Sequence, residues 1–129
     1  MNNRSEALSR EEIVAIAKAD DLHIAPFRAD GMTYGTPTWI WSVAVDGQLY
    51  VRAYNGISSR WYKAAMSQGS GKIEAAGMEK KVRFEAVDDR TLNDKIDKAY
   101  QNKYSRSPYL NSMISDRAKN ATVKILPFV

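Results

Sequence analysis

The dipeptide Asp46-Gly47 constrains this chain more than any other feature. It separates two runs rich in aromatic and β-branched residues, Thr38 to Val45 and Gln48 to Tyr54. Asp-Gly between such runs reads as a two-residue type I′ turn, whose twist matches that of paired strands. The turn sets a register: Val45 opposes Gln48, Val43 opposes Tyr50, Trp41 opposes Arg52, and Trp39 opposes Tyr54. Side chains alternate along a strand, so all of these share one face. The other face carries Ile40, Ser42, Ala44, Leu49, Val51 and Ala53. A small aliphatic face suits the inside of a narrow barrel. The aromatic face, with its arginine, suits a covering helix, a partner subunit or a planar ligand.

The remaining segments supply the rest of such a barrel. Ser9 and Glu12 form a capping box, and Leu8 and Ile13 are spaced for a hydrophobic staple. The helix they open carries Ile13, Ile16 and Ala17 on one side and fades near Asp20-Asp21. A short strand is expected at His23 to Phe27, then a loop from Arg28 to Gly35. A second helix starts at Ser58 or Ser59 and stops at Gly69, with Trp61, Tyr62, Ala65 and Met66 as its apolar stripe. A second hairpin spans Lys72 to Val87. With Gly77-Met78 as a type II′ turn, Ile73 pairs with Val82 and Glu74 with Lys81. Ile73, Ala75, Val82, Phe84 and Ala86 then point inward. Thr91 caps a helix running to about Tyr104, with Leu92, Ile96, Ala99 and Tyr100 on one face. Ser107-Pro108 opens another helix, and Ala121 to Leu126 is a final strand. Hairpins joined in this way predict an α+β fold: an antiparallel, six-stranded split β-barrel with flanking helices. The 129 residues suit a single domain over 1–129.

Composition excludes several chemistries. There is no cysteine and one histidine, His23, so disulfides and a thiol nucleophile are impossible and no metal site is expected. A Ser-His-Asp triad is equally disfavoured, and His23, in a strand, reads as structural. No apolar run approaches the roughly 20 residues of a membrane helix. The start, MNNRSEALSREE, has no apolar signal core, so the expected location is cytoplasmic, with no membrane partner. The net charge is +4, and no acidic residue lies between Asp46 and Glu74. From Lys98 onward six basic residues face Asp116 alone. No nucleic-acid motif accompanies that excess, so it reads as solvated surface. Tyr100, Tyr104 and Tyr109 there read as helix-face packing.

Chemistry concentrates in RAYNGISSRWYK, residues 52–63. This segment leaves a strand, turns at Asn55-Gly56 and enters a helix. A helix start offers unpaired N–H groups and a partial positive charge, so it favours phosphate or carboxylate. Arg52 and Arg60 can add charged donors, and Ser58 and Ser59 hydroxyls. Tyr54, Trp61 and Trp41 can flank a ring. Each also has a plainer reading: a serine is a cap, Arg52 a cation–π partner of Trp41, and Trp61 and Tyr62 core. Trp39 and Trp41 read as core or as a dimer surface. Asp88-Asp89 reads as a helix cap rather than a catalytic pair. No residue is a convincing proton donor, although Tyr54 is the best placed.

The runs LYVRAYNG, SRWYKAA, GKIEAAGMEKKVRFEAV and IDKAYQNKYS resemble an uncharacterised bacterial family, domain of unknown function 2255. The resemblance spans about Gly35 to Leu126. That family in turn is similar to the FMN-binding split-barrel superfamily, and most to its deazaflavin-dependent nitroreductase branch. The resemblance implies a homodimer with FMN or a deazaflavin at its seam, and a flavin-type reductase as the enzyme if there is one. It implies phosphate-holding roles for Arg52, Ala53, Tyr54, Asn55, Gly56 and Arg60. The branch commonly has paired glycines and a basic residue in this turn, whereas here Asn55-Gly56 is followed by Ile57. The alternative is a non-catalytic barrel without cofactor that binds a small anionic ligand or a protein partner.

Overall fold

The computed structural model describes residues 8–128. Residues 1–7, part of the segment read for a signal sequence, lie outside the described residues. Helix α1 (Arg10–Lys18) begins as its sequence dictates. The Ser9 side chain accepts from the Glu12 N–H, and the Glu12 carboxylate accepts from the Ser9 N–H. Leu8, Ile13 and Ile16 then enter the main core.

Seven antiparallel strands follow, in the spatial order β2-β1-β5-β6-β7-β4-β3. They are β1 (His23–Pro26), β2 (Thr38–Trp39), β3 (Ser42–Val45), β4 (Gln48–Arg52), β5 (Ser70–Ala75), β6 (Met78–Ala86) and β7 (Thr122–Pro127). The two ends of that order, β2 and β3, are separated in sequence only by Ile40 and Trp41. They are two halves of one extended run. Its first half pairs with β1, and the Ile40 N–H carries that ladder on to the Leu22 carbonyl. Its second half pairs with β4. The sheet therefore curls until one segment serves both ends, and the six expected strands become seven by hydrogen bonding.

Asp46 and Gly47 both have positive φ, 52° and 79°, and Val45 opposes Gln48 and Val43 opposes Tyr50. The ladder stops at Ser42 opposite Val51. The expected pairs Trp41–Arg52 and Trp39–Tyr54 do not form, because the strand changes partner there and Trp39 opposes His23; Arg52 keeps its neighbour on the other edge of β4, Thr122. The faces are nevertheless those of the alternation. Ile40, Leu49 and Val51 join Ile24, Ile73, Val82, Phe84, Val123 and Ile125 inside the barrel. Trp41, Val43, Val45 and Tyr50 lie outside, under helix α3 (Arg90–Lys103).

The second hairpin turns one residue earlier than expected, at Ala76-Gly77, with φ of 52° and 76°. Ala75 then opposes Met78 and Ile73 opposes Lys80. A two-residue shift preserves parity, so Ile73, Ala75, Val82 and Phe84 are buried as expected. Ala86 is exposed instead. Lys80 lies on the inner side, where its ammonium meets Glu12 at 2.8 Å.

Helix α2 (Arg60–Gln68) ends at Gly69 in the left-handed conformation. Ala65 is buried in the barrel core, and Trp61, Tyr62 and Met66 pack against it. The cap of α3 is Asp89, as the reading of Asp88-Asp89 as a cap expects, and not Thr91; its carboxylate accepts from the Leu92 N–H at 2.9 Å. Two short helices, α4 (Leu110–Met113) and α5 (Asp116–Lys119), lead into β7. Among the described residues no helix is long and apolar enough to cross a membrane.

The Glu12 carboxyl is held below the ordinary glutamate range by the Lys80 hydrogen bond first and the Ser9 N–H second. A carboxylate depressed by folding stabilises above its unfolded pKa and loses that contribution as pH falls through its folded value. Glu12→Gln should therefore cost about 1 kcal/mol at pH 7 and almost nothing near pH 3. Thermal melts of both proteins across that range check this; a cost independent of pH would contradict it.

Candidate functional site

The 52–63 segment folds as one continuous corner. Strand β4 ends at Arg52, and the Ala53 N–H donates to the Ala121 carbonyl. Gly56 then opens a single 3₁₀ turn, Gly56–Ser58, at φ 76°. A Cβ at Gly56 would stand 2.8 Å from Arg117 Cγ and 3.0 Å from the Arg117 carbonyl oxygen. Only glycine admits both that φ and that approach. Ser59 occupies the position before α2, but its side chain makes no capping bond. The first turn of α2 thus keeps its N–H groups and partial positive charge without a side-chain cap. Helices α1 and α3 both have one.

Beside this corner lies a cavity of about 700 Å³. Asn55, Ser59 and Arg60 form one part of its wall, and Tyr54 and Trp61 join them. Trp39 comes from β2, Tyr104 from the end of α3, and Tyr109 from the segment before α4. Trp41 lies beneath, stacked on Tyr104 with ring centres 3.9 Å apart and planes 4° from parallel. Tyr54 meets the edge of Tyr109 at 6.1 Å. On its other contacts, Arg117 donates from Nε to the Tyr54 carbonyl at 3.0 Å and sets its guanidinium 5.3 Å from the Tyr54 ring centre. Asp20 completes the wall: its carboxylate accepts from the Tyr104 hydroxyl at 2.8 Å, and its carbonyl from Trp39 Nε1 at 2.9 Å. Burial, then the bond to Asp20, raises the Tyr104 pKa well above the usual phenol value. Tyr104 therefore remains the donor of that bond at neutral pH.

Arg52 is the main correction among the candidate residues. It was expected as a charged donor to an anion, but it is fully buried under the cavity floor. Nε donates to Thr122 Oγ1 at 2.9 Å. Nη1 donates to Asp97 Oδ1 and to the Met113 carbonyl, and Nη2 to both the carbonyl and Oδ1 of Asn93. A guanidinium has five N–H donors, and all are spent inside the protein. Asp97 also holds Lys119 at 2.9 Å. The ring beside Arg52 is Tyr100, 5.4 Å away, and not Trp41.

Tyr54, Asn55, Ser59, Arg60 and Trp61 are thus brought together on one cavity. Ala53, Gly56 and Ser58 are not on it. Ala53 is buried, Gly56 accommodates Arg117, and the Ser58 hydroxyl donates to the Asn55 carbonyl at 3.1 Å. Trp41 is buried against α3, so it forms no exposed seam, whereas Trp39 is half exposed. Asp20 and Tyr109 escaped the sequence reading because they reach the cavity from loops distant in the chain. Tyr109, read as helix packing, is 58% exposed; lying outside the apolar period of α3 was the available signal.

The fold is shared with solved structures. A Listeria innocua protein provisionally named a pyridoxamine 5'-phosphate oxidase superposes with a TM-score of 0.60 at 11% identity, over 93% of this chain and 94% of that one. The conserved hypothetical protein Rv2991 of Mycobacterium tuberculosis gives 0.62 at 14%, over 97% and 82%. At such identities the likeness is one of fold, a split barrel. The model of a family described as an uncharacterised protein conserved in bacteria, domain of unknown function 2255, matches residues 12–125. No curated protein matches the sequence.

Because Arg52 ties β4 to α3, α4 and β7, Arg52→Ala should cost about 3–5 kcal/mol of stability, the range for removing one partner of a buried ion pair. Urea unfolding reads the loss directly. A midpoint close to that of the native protein would show that the guanidinium bonds contribute little.

Proposed function

We propose that the chain, which belongs to the uncharacterised bacterial family of domain of unknown function 2255, holds a planar aromatic ligand with an anionic group in the cavity beside α2. FMN or a deazaflavin is the leading identity, and a flavin- or deazaflavin-dependent reductase the leading activity. The observation that carries this reading is the juxtaposition of an uncapped helix start with Arg60, on a cavity walled by Trp39, Trp61, Tyr104 and Tyr109. Its size falls within the range of small-molecule sites. When bound, such a cofactor supplies the electron transfer. The chain's own residues supply the rest. Arg60 and the first-turn N–H groups of α2 anchor the anion. The aromatic walls orient the ring and keep water from it. The Tyr104 hydroxyl is committed to Asp20, so Tyr54 and Tyr109 carry the phenols left for contact with a ligand.

In this reading Arg52 is a positioning residue: it holds the floor and touches no ligand. Trp39, the exposed member of the tryptophan pair, is the surface we assign to pairing with a second copy, in keeping with a homodimer. One observation favours the other reading, a non-catalytic module for a small anion or a protein partner. With Arg52 spent, Arg60 is the one cation of the described cavity wall with donors to offer.

Titration with FMN and with a deazaflavin, followed by tryptophan fluorescence, separates the two. The cofactor reading expects saturable quenching, and Arg60→Ala should weaken binding about tenfold or more, as for loss of a charged hydrogen bond. No saturable quenching, with a melting temperature raised by inorganic phosphate, would decide for the module.

A further inference from the structure

Asp20 is the only carboxylate on the described cavity wall. A carboxylate there opposes the anion for which the α2 corner is suited, unless the ligand offers it a donor. Its placement is fixed from two sides. Trp39 Nε1 holds its backbone carbonyl, and the Tyr104 hydroxyl holds Oδ1. Both of those donors belong to the aromatic walls, so the carboxylate is built into the wall between them. Asp20 is an exposed residue, so Oδ2 stays accessible to water or to a donor on a ligand. The Lys103 ammonium interacts with the Asp20 charge but gives its hydrogen bonds to the Ala19 and Ser42 carbonyls at 2.8 and 2.7 Å. An accessible anionic acceptor beside flat aromatic walls favours a ring that carries its own N–H at the edge.

We infer that Asp20 is a specificity-determining residue that reads a ring N–H of the ligand, so that the site takes a planar heteroaromatic bearing an N–H donor at its edge and an anion on its tail. This rests on the cofactor reading above and deepens it. Asp20 and the α2 corner come from different elements and have opposite charge. Together they orient the ligand: the anion goes to Arg60 and the ring N–H to Asp20. A ring of the same shape without that N–H displaces water from the carboxylate and returns no hydrogen bond, which weakens its binding.

The oxidised isoalloxazine of FMN has one ring N–H, at N3, and 3-methyl-FMN lacks it while keeping the phosphate. Both are titrated into the native protein and into Asp20→Asn. The variant keeps an acceptor for the Tyr104 hydroxyl, and the Trp39 bond goes to the backbone, so the wall stands. The native protein should bind FMN about tenfold or more tighter than 3-methyl-FMN. In Asp20→Asn, FMN should weaken until that ratio falls to about one. Equal binding of the two by the native protein overturns the inference. So does a ratio that persists in the variant, since the methyl group is then excluded by shape and not by Asp20. If the variant fails to fold, the native pair of titrations still decides. Absence of saturable FMN binding by the native protein is a separate outcome: it removes the cofactor reading, and this assignment with it.

Discussion

The guanidinium of Arg52 joins four elements of the fold, β4, β7, α3 and α4. It leaves β4, bonds across the ladder to Thr122 of β7, and reaches Asn93 and Asp97 of α3 and the Met113 carbonyl of α4. Burying an arginine is tolerable only when every donor is paired, so the positions of these partners are coupled. The cavity rests on that coupling. Met113 and Arg52 underlie its floor, Tyr104 comes from the end of the same α3, and Arg117 of α5 braces Tyr54. The Arg52 charge, turned away from the 52–63 corner, is thus the charge that holds the corner's support.

A second constraint follows from the strand that changes partner. Between β2 and β3 the backbone leaves one ladder before it joins the next, and its buried polar groups need partners. Helix α3 supplies them. The Tyr100 hydroxyl donates to the Trp41 carbonyl, Lys103 donates to the Ser42 carbonyl, and the Ser42 N–H donates to the Tyr104 oxygen at 3.4 Å. Burial lowers the Lys103 pKa and raises that of Tyr100. Both shifts are costs of placing polar side chains where the sheet has none to offer. Trp41 fills the same gap from above by stacking on Tyr104.

Much of this was legible in the sequence, because local rules govern it. The capping box at Ser9, the Asp46-Gly47 turn and the alternation through Leu49 and Val51 each act over a few residues. The turn at Ala76-Gly77 was missed because alanine at positive φ carries no local signal. The register of Trp41 and Trp39 was missed because the partner change depends on β1 and α3, which are distant in sequence. In the candidate site, the continuous corner from Tyr54 to Trp61 was readable as strand, turn and helix. The role of Arg52 was not, since an arginine facing solvent and one facing Asp97 and Asn93 look alike in one dimension. Asp20, Trp39, Tyr104 and Tyr109 converge only after the barrel closes.

The position of β7 bears on how such a chain acquires its structure during synthesis. This strand follows every other in sequence, yet it lies between β6 and β4 in the sheet. While a ribosome is still making the segment before Thr122, β4 has an open edge, and Arg52 lacks a partner 70 residues downstream. The hairpins are local and can form early. Joining them across β7 is a long-range closure, and such closures are slow. The nascent chain therefore passes through a stage with paired hairpins and an unpaired strand edge, in which Arg52 can meet Asp97 but not yet Thr122. The absence of acidic residues between Asp46 and Glu74 leaves that edge net positive, and like charge on an open edge discourages one unfinished chain from adding to another.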